Sequence, residues 1–220
     1  MNFAGPTKEL AELRVLHRRG RIVGPDLADQ TAGRVEHVPL VAALRGAGMS
    51  AVEQTRQDLD KSFAHWQALG RSLPLMNEAF RWLYEHIDRA DGECGVVHGD
   101  FNFNNMLIDG ERVAAIVDWE FVHWGNPAAD LGWFHYGADG ICGWEEFQRL
   151  YAAAGGFPLT RRQLDYFVLL GQTRLAVMTL QTDSGFDSGR FDDVKYGLSG
   201  SIYTNKALIR VARLLQAIAS

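Results

Sequence analysis

The sequence is poor in cysteine, has no long apolar run and carries no excess of basic residues, and each absence excludes a class of function. Cys94 and Cys142 are the only cysteines in 220 residues and form no C-x-x-C pair, so neither a disulfide framework nor a zinc site is indicated. No apolar run approaches the roughly 20 residues that cross a bilayer. The net charge of −5 argues against the basic surface that nucleic-acid-binding proteins need. We therefore expect neither a membrane nor a nucleic acid as a partner.

The first residues also lack the apolar segment of an export signal, because Lys8 and Glu9 stand where that segment would lie. The remaining composition, 47% hydrophobic and 22% charged, is ordinary for a soluble globular protein. A chain of this length can bury one good core. We therefore expect a single domain in the reducing environment of the cytoplasm.

Apolar residues recur at helical spacing along most of the chain, which predicts a mostly helical protein. The predicted helices cover residues 7–19, 40–44 (within a connector over 21–50), 51–69, 75–89, 144–154, 160–180 and 202–218, with a polar loop over 181–189. Thr160 and Gln163 have the spacing of a capping box at a helix start. Asn126 followed by Pro127 marks another helix start, with a capping residue before a proline.

Two short apolar runs near the middle of the chain each lead into an acidic residue. Val96-Val97 comes shortly before Asp100, and residues 113–117 come directly before Asp118. A carboxylate at the end of a strand has a fixed direction, because the paired backbone behind it cannot swing. The sequence thus predicts two strands that each present a carboxylate.

A hairpin is predicted to bring these polar residues together. Asp109-Gly110 supplies the positive-φ residues of a tight turn, so residues 106–108 should pair with the strand that begins at Val113. This pairing folds Asp118 back towards Asn105. The oxygen atoms of these two side chains and of the first carboxylate can then converge on one point, as a hard divalent cation and a phosphate require.

Other interpretations of the same residues stay open. Asp100 and Asn102 are also common turn residues after a strand. A zinc hydrolase built on His98, Asp100 and His123 is compatible with the residue types, although zinc clusters usually show a tighter histidine pairing. A serine hydrolase is excluded, since residues 197–201 (GLSGS) lack the G-x-S-x-G pattern and a preceding strand. The residues that either contact substrate or belong to an exposed polar loop are Glu120, His123 and Trp124.

Three ordered motifs lie within 40 residues of each other. Residues 98–105 have the form HGDxxxxN, residues 118–120 are DWE, and residues 125–131 have the form G-x-P-x-x-D-L. Together they resemble the aminoglycoside phosphotransferase and choline kinase group of the protein-kinase-like fold. The closer resemblance is to the kinase-like domain that occurs alone in bacteria or attached to some acyl-CoA dehydrogenases. This resemblance implies a predominantly helical α+β fold, the C-terminal lobe of that architecture, with a small central β hairpin.

The resemblance also implies a role for each matching residue. Asp100 would be the catalytic carboxylate that orients the attacking hydroxyl group. Asn105 and Asp118 would hold one or two Mg²⁺ ions that bridge the phosphates of ATP or another nucleoside triphosphate. Asp130 would support the catalytic loop through its backbone, and His98 would pack beneath that loop without taking part in the chemistry. The implied activity is an ATP- and Mg²⁺-dependent phosphotransferase whose substrate is a small molecule with a hydroxyl group.

The sequence departs from the family pattern before Gly95. We find no G-x-G-x-x-G loop and no lysine-bearing strand there, and its two lysines, Lys8 and Lys61, lie on helical patterns. We therefore expect residues 1–220 to form the C-terminal lobe alone, without the N-terminal nucleotide-binding lobe. Its expected parts are a helical part (1–94), a catalytic and metal-binding segment (95–136) and a second helical part (137–220).

Three explanations for the missing lobe remain open at this point. The chain is a fragment of a longer one, or a separate partner chain supplies the N-lobe, or a degenerate kinase-like lobe serves as a non-catalytic binding module. A lobe without its neighbour would also expose an apolar patch, and such a patch favours self-association or a partner.

Overall fold

The computed structural model describes residues 48–110, 112–156, 159–190 and 193–219. The helices predicted over residues 7–19 and 40–44 lie outside the described residues. The chain divides into two compact units. The described parts are residues 48–51 and 92–160 of the first, which we call the site unit, and residues 52–91 and 161–219 of the second, which we call the helical unit.

The described residues are predominantly helical. In chain order the helices are α1 (Ala51–Ala68), α2 (Pro74–Glu85), α3 (Ala128–Cys142), α4 (Trp144–Ala153), α5 (Arg161–Asp187) and α6 (Val194–Ala219), with short 3-10 helices at Ile87–Ala90 and Phe103–Asn105. The strands are β1 (Gly95–Val97), β2 (Met106–Asp109), β3 (Arg112–Ile116) and β4 (His123–Gly125). The predicted α+β class with a small hairpin is confirmed. Within the described ranges, no helix combines the length and low polarity that a bilayer crossing requires.

Apolar helix faces hold the helical unit together. Helix α5 packs along α6, and α2 packs against both. Most side chains of the apolar stripes on α1 and α2 are buried, since five of them are at most 3% exposed: Leu59, Trp66, Met76, Phe80 and Leu83. Burying one such side chain contributes roughly 1.5–3 kcal/mol, whereas an exposed ion pair contributes ~0–1 kcal/mol. The apolar stripes therefore dominate the stability of this unit.

The end of α5 and the start of α6 differ from the sequence prediction. The polar loop predicted over residues 181–189 is wrong for its first seven residues, which continue α5, and α6 begins eight residues earlier than predicted. A Cβ atom added at Gly197 would lie 2.8 Å from the ring of Phe186, and one at Gly200 would lie 2.9 Å from Asp183. These glycines allow the two helices to approach closely, and this tertiary packing supports two helical turns whose own composition is polar.

An aromatic cluster forms the core of the site unit. Its buried residues include Phe101, Leu131, Phe134, Phe147 and Tyr151, and Met106 of β2 and Ile116 of β3 pack against them. The rings of Phe101 and Phe134 meet edge to face with their centroids 5.1 Å apart. Phe101 directly follows Asp100 in the chain, so this core anchors the loop that carries the predicted catalytic carboxylate.

The hairpin of the site unit is confirmed, with one correction to its turn. Strands β2 and β3 are antiparallel, and Met106 pairs with Ile116. Gly110 has a φ of +61°, as the turn requires, but Asp109 has no positive φ and instead pairs with Arg112 in the ladder. The hairpin thus returns the chain towards the end of the 3-10 helix, as expected.

Strand β4 was not predicted. Of the two interpretations left open for His123 and Trp124, the exposed polar loop does not hold, because residues 123–125 pair antiparallel with β1 and Val96 lies opposite Trp124. A three-residue strand has too few positions to show an alternating pattern. Its partner strand also lies 28 residues away in the chain, so only the tertiary structure defines the pairing.

Candidate active site

Helix α3 holds the loop that follows β1, residues 98–102, which we call the site loop. The carboxylate of Asp130, in the first turn of α3, accepts hydrogen bonds from two successive backbone amides, His98 N at 2.7 Å and Gly99 N at 2.9 Å. Asp130 is only 1% exposed. Both bonds join an ionisable oxygen to a buried donor, so they are stronger than ordinary amide bonds. The contact that the sequence prediction gave to Asp130 is present in the structure.

The first turn of α3 is itself fixed by the predicted cap. The Asn126 side chain accepts a hydrogen bond from Ala128 N at 2.9 Å. Pro127, which directly precedes α3, has helical dihedral angles, φ −57° and ψ −16°, and its lack of an N–H costs nothing at a helix start. The cap therefore sets the direction in which Asp130 leaves the helix.

Both ring nitrogens of His98 are engaged within the protein. Nε2 lies 2.9 Å from the carbonyl of Val117 and must donate to it, whereas Nδ1 lies 3.2 Å from Asp100 N and must accept from it. The ring is therefore neutral, 2% exposed, and has no nitrogen left for a metal. Nor do the described residues include any cluster of three His, Cys, Asp or Glu side chains that could hold a metal ion. A zinc hydrolase based on His98 is thus incompatible with this geometry.

The chain from residue 117 to 121 lies against the site loop. Val117 donates its N–H to the Asn105 carbonyl at 2.9 Å, and its own carbonyl accepts from His98. The indole ring of Trp119 lies 4.4 Å from the His98 ring, measured between centroids, and its Nε1 donates to Ile116 O. The residues on both sides of Asp118 are therefore fixed relative to Asn105 and His98.

Asp118 has a strained backbone. Its φ of +66° is the only positive value of a non-glycine residue among those described, and its side chain is exposed. A non-glycine residue in this region costs of order 1–3 kcal/mol and persists only where its surroundings impose it. Here the hydrogen bonds of Val117 and the packing of Trp119 hold the residues on both sides of Asp118 in place.

Gly99 allows this close approach. Its φ is +84°, and a Cβ atom at this position would lie 2.7 Å from both the Cβ and the carbonyl oxygen of Phe121. No rotamer change can relieve a clash with a backbone oxygen. Only glycine therefore fits between β1 and the Phe121 backbone.

Two side-chain amides hold the predicted catalytic carboxylate. Asn105 Nδ2 donates to Asp100 Oδ2 at 3.0 Å and to the Asp100 carbonyl at 2.8 Å. Asn102 Nδ2 donates to Asp100 Oδ1 at 2.9 Å and to the same carbonyl at 3.0 Å. The sequence prediction treated Asn102 only as a turn residue. The sequence did contain a signal for this contact, because Asn102 carries a side-chain amide only two residues after the Asp100 carboxylate, in the same loop.

The two predicted metal ligands lie on neighbouring backbone segments. Asn105 directs its side-chain nitrogen to Asp100, and its carbonyl accepts the N–H of Val117, the residue directly before Asp118. An amide oxygen and a carboxylate are donors that Mg²⁺ accepts, with water and phosphate oxygens completing its octahedron. His123, by contrast, directs Nδ1 to Phe121 O at 2.9 Å and lies on β4.

Sequence comparison identifies related proteins. A family model described as "Phosphotransferase enzyme family" matches residues 13–167. The chain is 27% identical over 126 residues to acyl-CoA dehydrogenase family member 11 of Gallus gallus, which covers 47% of this chain and 16% of that protein. It is 31% identical over 93 residues to the Homo sapiens protein of the same name, which covers 41% of this chain and 12% of that protein. The chain thus spans less than a fifth of the length of these relatives.

Solved structures share the fold. A candidate aminoglycoside phosphotransferase from Ralstonia eutropha has a TM-score of 0.60 and 21% identity, over 73% of this chain and 55% of that one. A choline/ethanolamine kinase family protein from Mesorhizobium loti has a TM-score of 0.52 and 22% identity, over 70% of this chain and 51% of that one. A thermostable mutant of aminoglycoside phosphotransferase APH(4)-Ia, in complex with AMP-PNP and hygromycin B, has a TM-score of 0.50 and 19% identity, over 71% of this chain and 48% of that one. The resemblance inferred from the three motifs is confirmed at the level of family and fold.

Proposed function

This chain belongs to the phosphotransferase enzyme family, and from that premise we propose that it transfers the terminal phosphoryl group of ATP to a hydroxyl group of a small molecule. The contact between Asp100 and Asn105, beside the strained Asp118, carries the proposal. It combines a fixed carboxylate with two oxygen ligands for a cation, which are the parts that phosphoryl transfer needs from a protein. We place the reaction in the cytoplasm.

In the proposed reaction Asp100 orients the acceptor. The half-buried carboxylate accepts the hydrogen bond of the substrate hydroxyl, whose oxygen attacks the γ-phosphorus. The new O–P bond forms as the bond from the γ-phosphorus to the β,γ-bridging oxygen breaks. ADP leaves with that electron pair, and the hydroxyl proton passes to Asp100. Fixing the nucleophile in line accounts for much of the rate enhancement in such reactions.

Asn105 and Asp118 would hold Mg²⁺ through the Asn105 Oδ1 and the Asp118 carboxylate, a donor set that fits this ion. When bound, Mg²⁺ neutralises charge that develops on the phosphate oxygens. Asp130 and His98 would take no part in the chemistry and would instead keep the site loop in place, Asp130 through two backbone bonds and His98 by joining the loop to Val117.

The described part of the site unit contains no lysine, and its two arginines are Arg112 on β3 and Arg149, which is paired with Glu146, so we expect a metal ion to be the main counter-charge for phosphates there. We therefore propose that these residues act as the acceptor-and-metal half of a kinase-like site and bind Mg·ATP weakly. This also favours a second candidate function, a kinase-like lobe that binds nucleotide or a partner without transferring phosphate.

Thermal unfolding with and without Mg·ATP tests the proposal, because a ligand that binds only the native state raises the melting temperature. At a ligand concentration tenfold above Kd the stabilisation is about 1.4 kcal/mol. We expect a rise in melting temperature at 10 mM Mg·ATP, because a weak site has a Kd on the order of 1 mM. This rise should be lost in Asp118→Asn. Asp100→Asn is the matched control and should keep the shift while its rate of ADP formation falls to a low, still measurable value.

Three results distinguish the candidates. A shift with ADP formation in the wild-type protein supports phosphotransfer, and a shift without ADP formation in the wild-type protein supports the binding module. No shift in the wild-type protein, or one that Asp118→Asn leaves unchanged, contradicts the metal assignment on which phosphotransfer and nucleotide binding both rest.

A further inference from the structure

We infer that Asn102 is a positioning residue for Asp100, which fixes the direction of its carboxylate towards the acceptor hydroxyl. This inference rests on the proposed phosphotransfer and adds a residue that the family motif HGDxxxxN leaves unspecified. Asn102 stands at one of the four positions for which that motif names no residue.

The two carboxylate oxygens of Asp100 are held by two different amides. Oδ1 accepts from Asn102 Nδ2 at 2.9 Å, and Oδ2 accepts from Asn105 Nδ2 at 3.0 Å. Each amide also donates to the main-chain carbonyl of Asp100, at 3.0 Å and 2.8 Å. Each oxygen of the Asp100 carboxylate thus accepts a hydrogen bond from an amide that also donates to the Asp100 main chain. Rotation of its plane would break at least one of these bonds.

The orientation of the Asn102 amide is fixed independently of Asp100. Its Oδ1 accepts a hydrogen bond from Asn104 N at 2.8 Å and so caps the 3-10 helix Phe103–Asn105. A backbone N–H can only donate, so the oxygen must face Asn104 and the nitrogen must face Asp100. The two ends of one side chain thus do two separable things, capping a turn and donating to a carboxylate.

This geometry predicts a catalytic consequence beyond loop stability. A carboxylate held at one oxygen by Asn105 alone could still rotate about its last bond, and a misplacement of ~1 Å near the reacting atoms can cost about 10²-fold in rate. Asn105 would keep its own contacts and its metal-facing oxygen. Loss of the Asn102 donor should therefore lower kcat and leave nucleotide binding intact.

The test compares Asn102→Ser with Asn102→Ala by steady-state hydrolysis of Mg·ATP to ADP, with water as the acceptor. Serine can still cap Asn104 but is too short and has the wrong geometry to reach both acceptors of Asp100, whereas alanine loses both functions. We expect kcat to fall ~10–100-fold in both variants, with the KM for ATP within about twofold of wild type. Melting temperature should fall only in Asn102→Ala, since capping residues contribute about 1 kcal/mol.

A double-mutant cycle with Asp100→Asn separates positioning from an independent effect. If Asn102 acts through Asp100, then Asn102→Ser should cause no further loss of kcat in the Asp100→Asn protein. Losses that multiply, a wild-type kcat in Asn102→Ser, or an effect confined to KM would each overturn the inference while phosphotransfer stands. Failure of the wild-type protein to release ADP would instead overturn the proposed function, and with it this role.

Discussion

At the scale of single residues, the site depends on backbone positions that tolerate few side chains. Asp118 has a φ of +66° and Gly99 a φ of +84°, and they belong to the two segments that lie against each other. Strain at an exposed carboxylate brings no packing benefit, so a functional reason for it is the simpler explanation. The sequence motif identified Asp118, but nothing in the sequence indicated its backbone conformation.

Gly99→Ala is predicted to be among the most damaging small substitutions in the site unit. Its Cβ would lie 2.7 Å from a backbone oxygen in a conformation that L-residues avoid, so we expect a loss of at least about 2 kcal/mol in the free energy of unfolding. The matched control is Gly140→Ala in α3, where an added Cβ meets nothing within 4 Å and φ is not positive.

In the control variant the change in the free energy of unfolding should not be a loss. Alanine at a helical position is more favourable than glycine by roughly 0.5–1 kcal/mol, so Gly140→Ala should be neutral or stabilising. Urea denaturation of both variants measures the difference. Equal stability of the two variants would show that Phe121 does not pack against the site loop as described.

At the scale of elements, one helix and one hairpin assemble the site from segments that are distant in the sequence. The first turn of α3 supplies Asp130 to the site loop, and β3 returns the chain to Asn105. The hairpin was predictable because its turn has a local signature in Asp109-Gly110. The pairing of β1 with β4 was not, because no local pattern marks a three-residue strand.

Removal of the Asp130 carboxylate is predicted to destabilise the site unit strongly. Asp130→Ala leaves two buried N–H groups without their acceptor, each at a cost of about 1–3 kcal/mol. Asp130→Asn retains one oxygen and should cost less, on the order of 1–3 kcal/mol for the lost charged bond. Chemical denaturation followed by tryptophan fluorescence gives both values.

The control for this prediction is Asn126→Ala, which removes the cap of the same helix without touching the loop. Its expected cost is about 1 kcal/mol. If Asp130→Ala cost no more than this capping variant, the two backbone bonds would not be the main support of the site loop.

At the scale of the whole molecule, all five residues with predicted roles belong to one of the two compact units. His98, Asp100, Asn105, Asp118 and Asp130 lie in the site unit, whereas the helical unit consists of α-helices and one 3-10 helix within the described residues. A ligand of the proposed site therefore stabilises contacts of the site unit directly.

Hydrogen exchange should show this division. A weak site requires a ligand concentration on the order of 10 mM Mg·ATP. At this concentration the backbone amides of residues 95–119 should exchange more slowly, because ligand binding suppresses local opening. Peptides from α5 and α6 should change less, and Asp118→Asn should abolish the effect. Equal protection in both units, or protection confined to the helical unit, would place the nucleotide elsewhere.

The sequence by itself determined the family and the helical character, and it supplied the prediction of the site residues. These follow from local information: the apolar spacing of α1 and α2, the Asp-Gly turn, and three motifs whose side chains must be of particular chemical types. Mg²⁺ and phosphate need oxygen ligands whatever the fold, so HGDxxxxN and the following DWE could be interpreted before any coordinates existed.

Only the tertiary structure decided how those residues are held. The tautomer of His98, the strain at Asp118, the fit of Gly99 against Phe121 and the donation from Asn102 to Asp100 each depend on atoms brought together by folding. Hydrogen-bond partners and close contacts are properties of positions in space, and spacing in the chain does not determine them. For the same reason the polar composition at the end of α5 predicts a loop, whereas its close packing against the glycines of α6 keeps it helical.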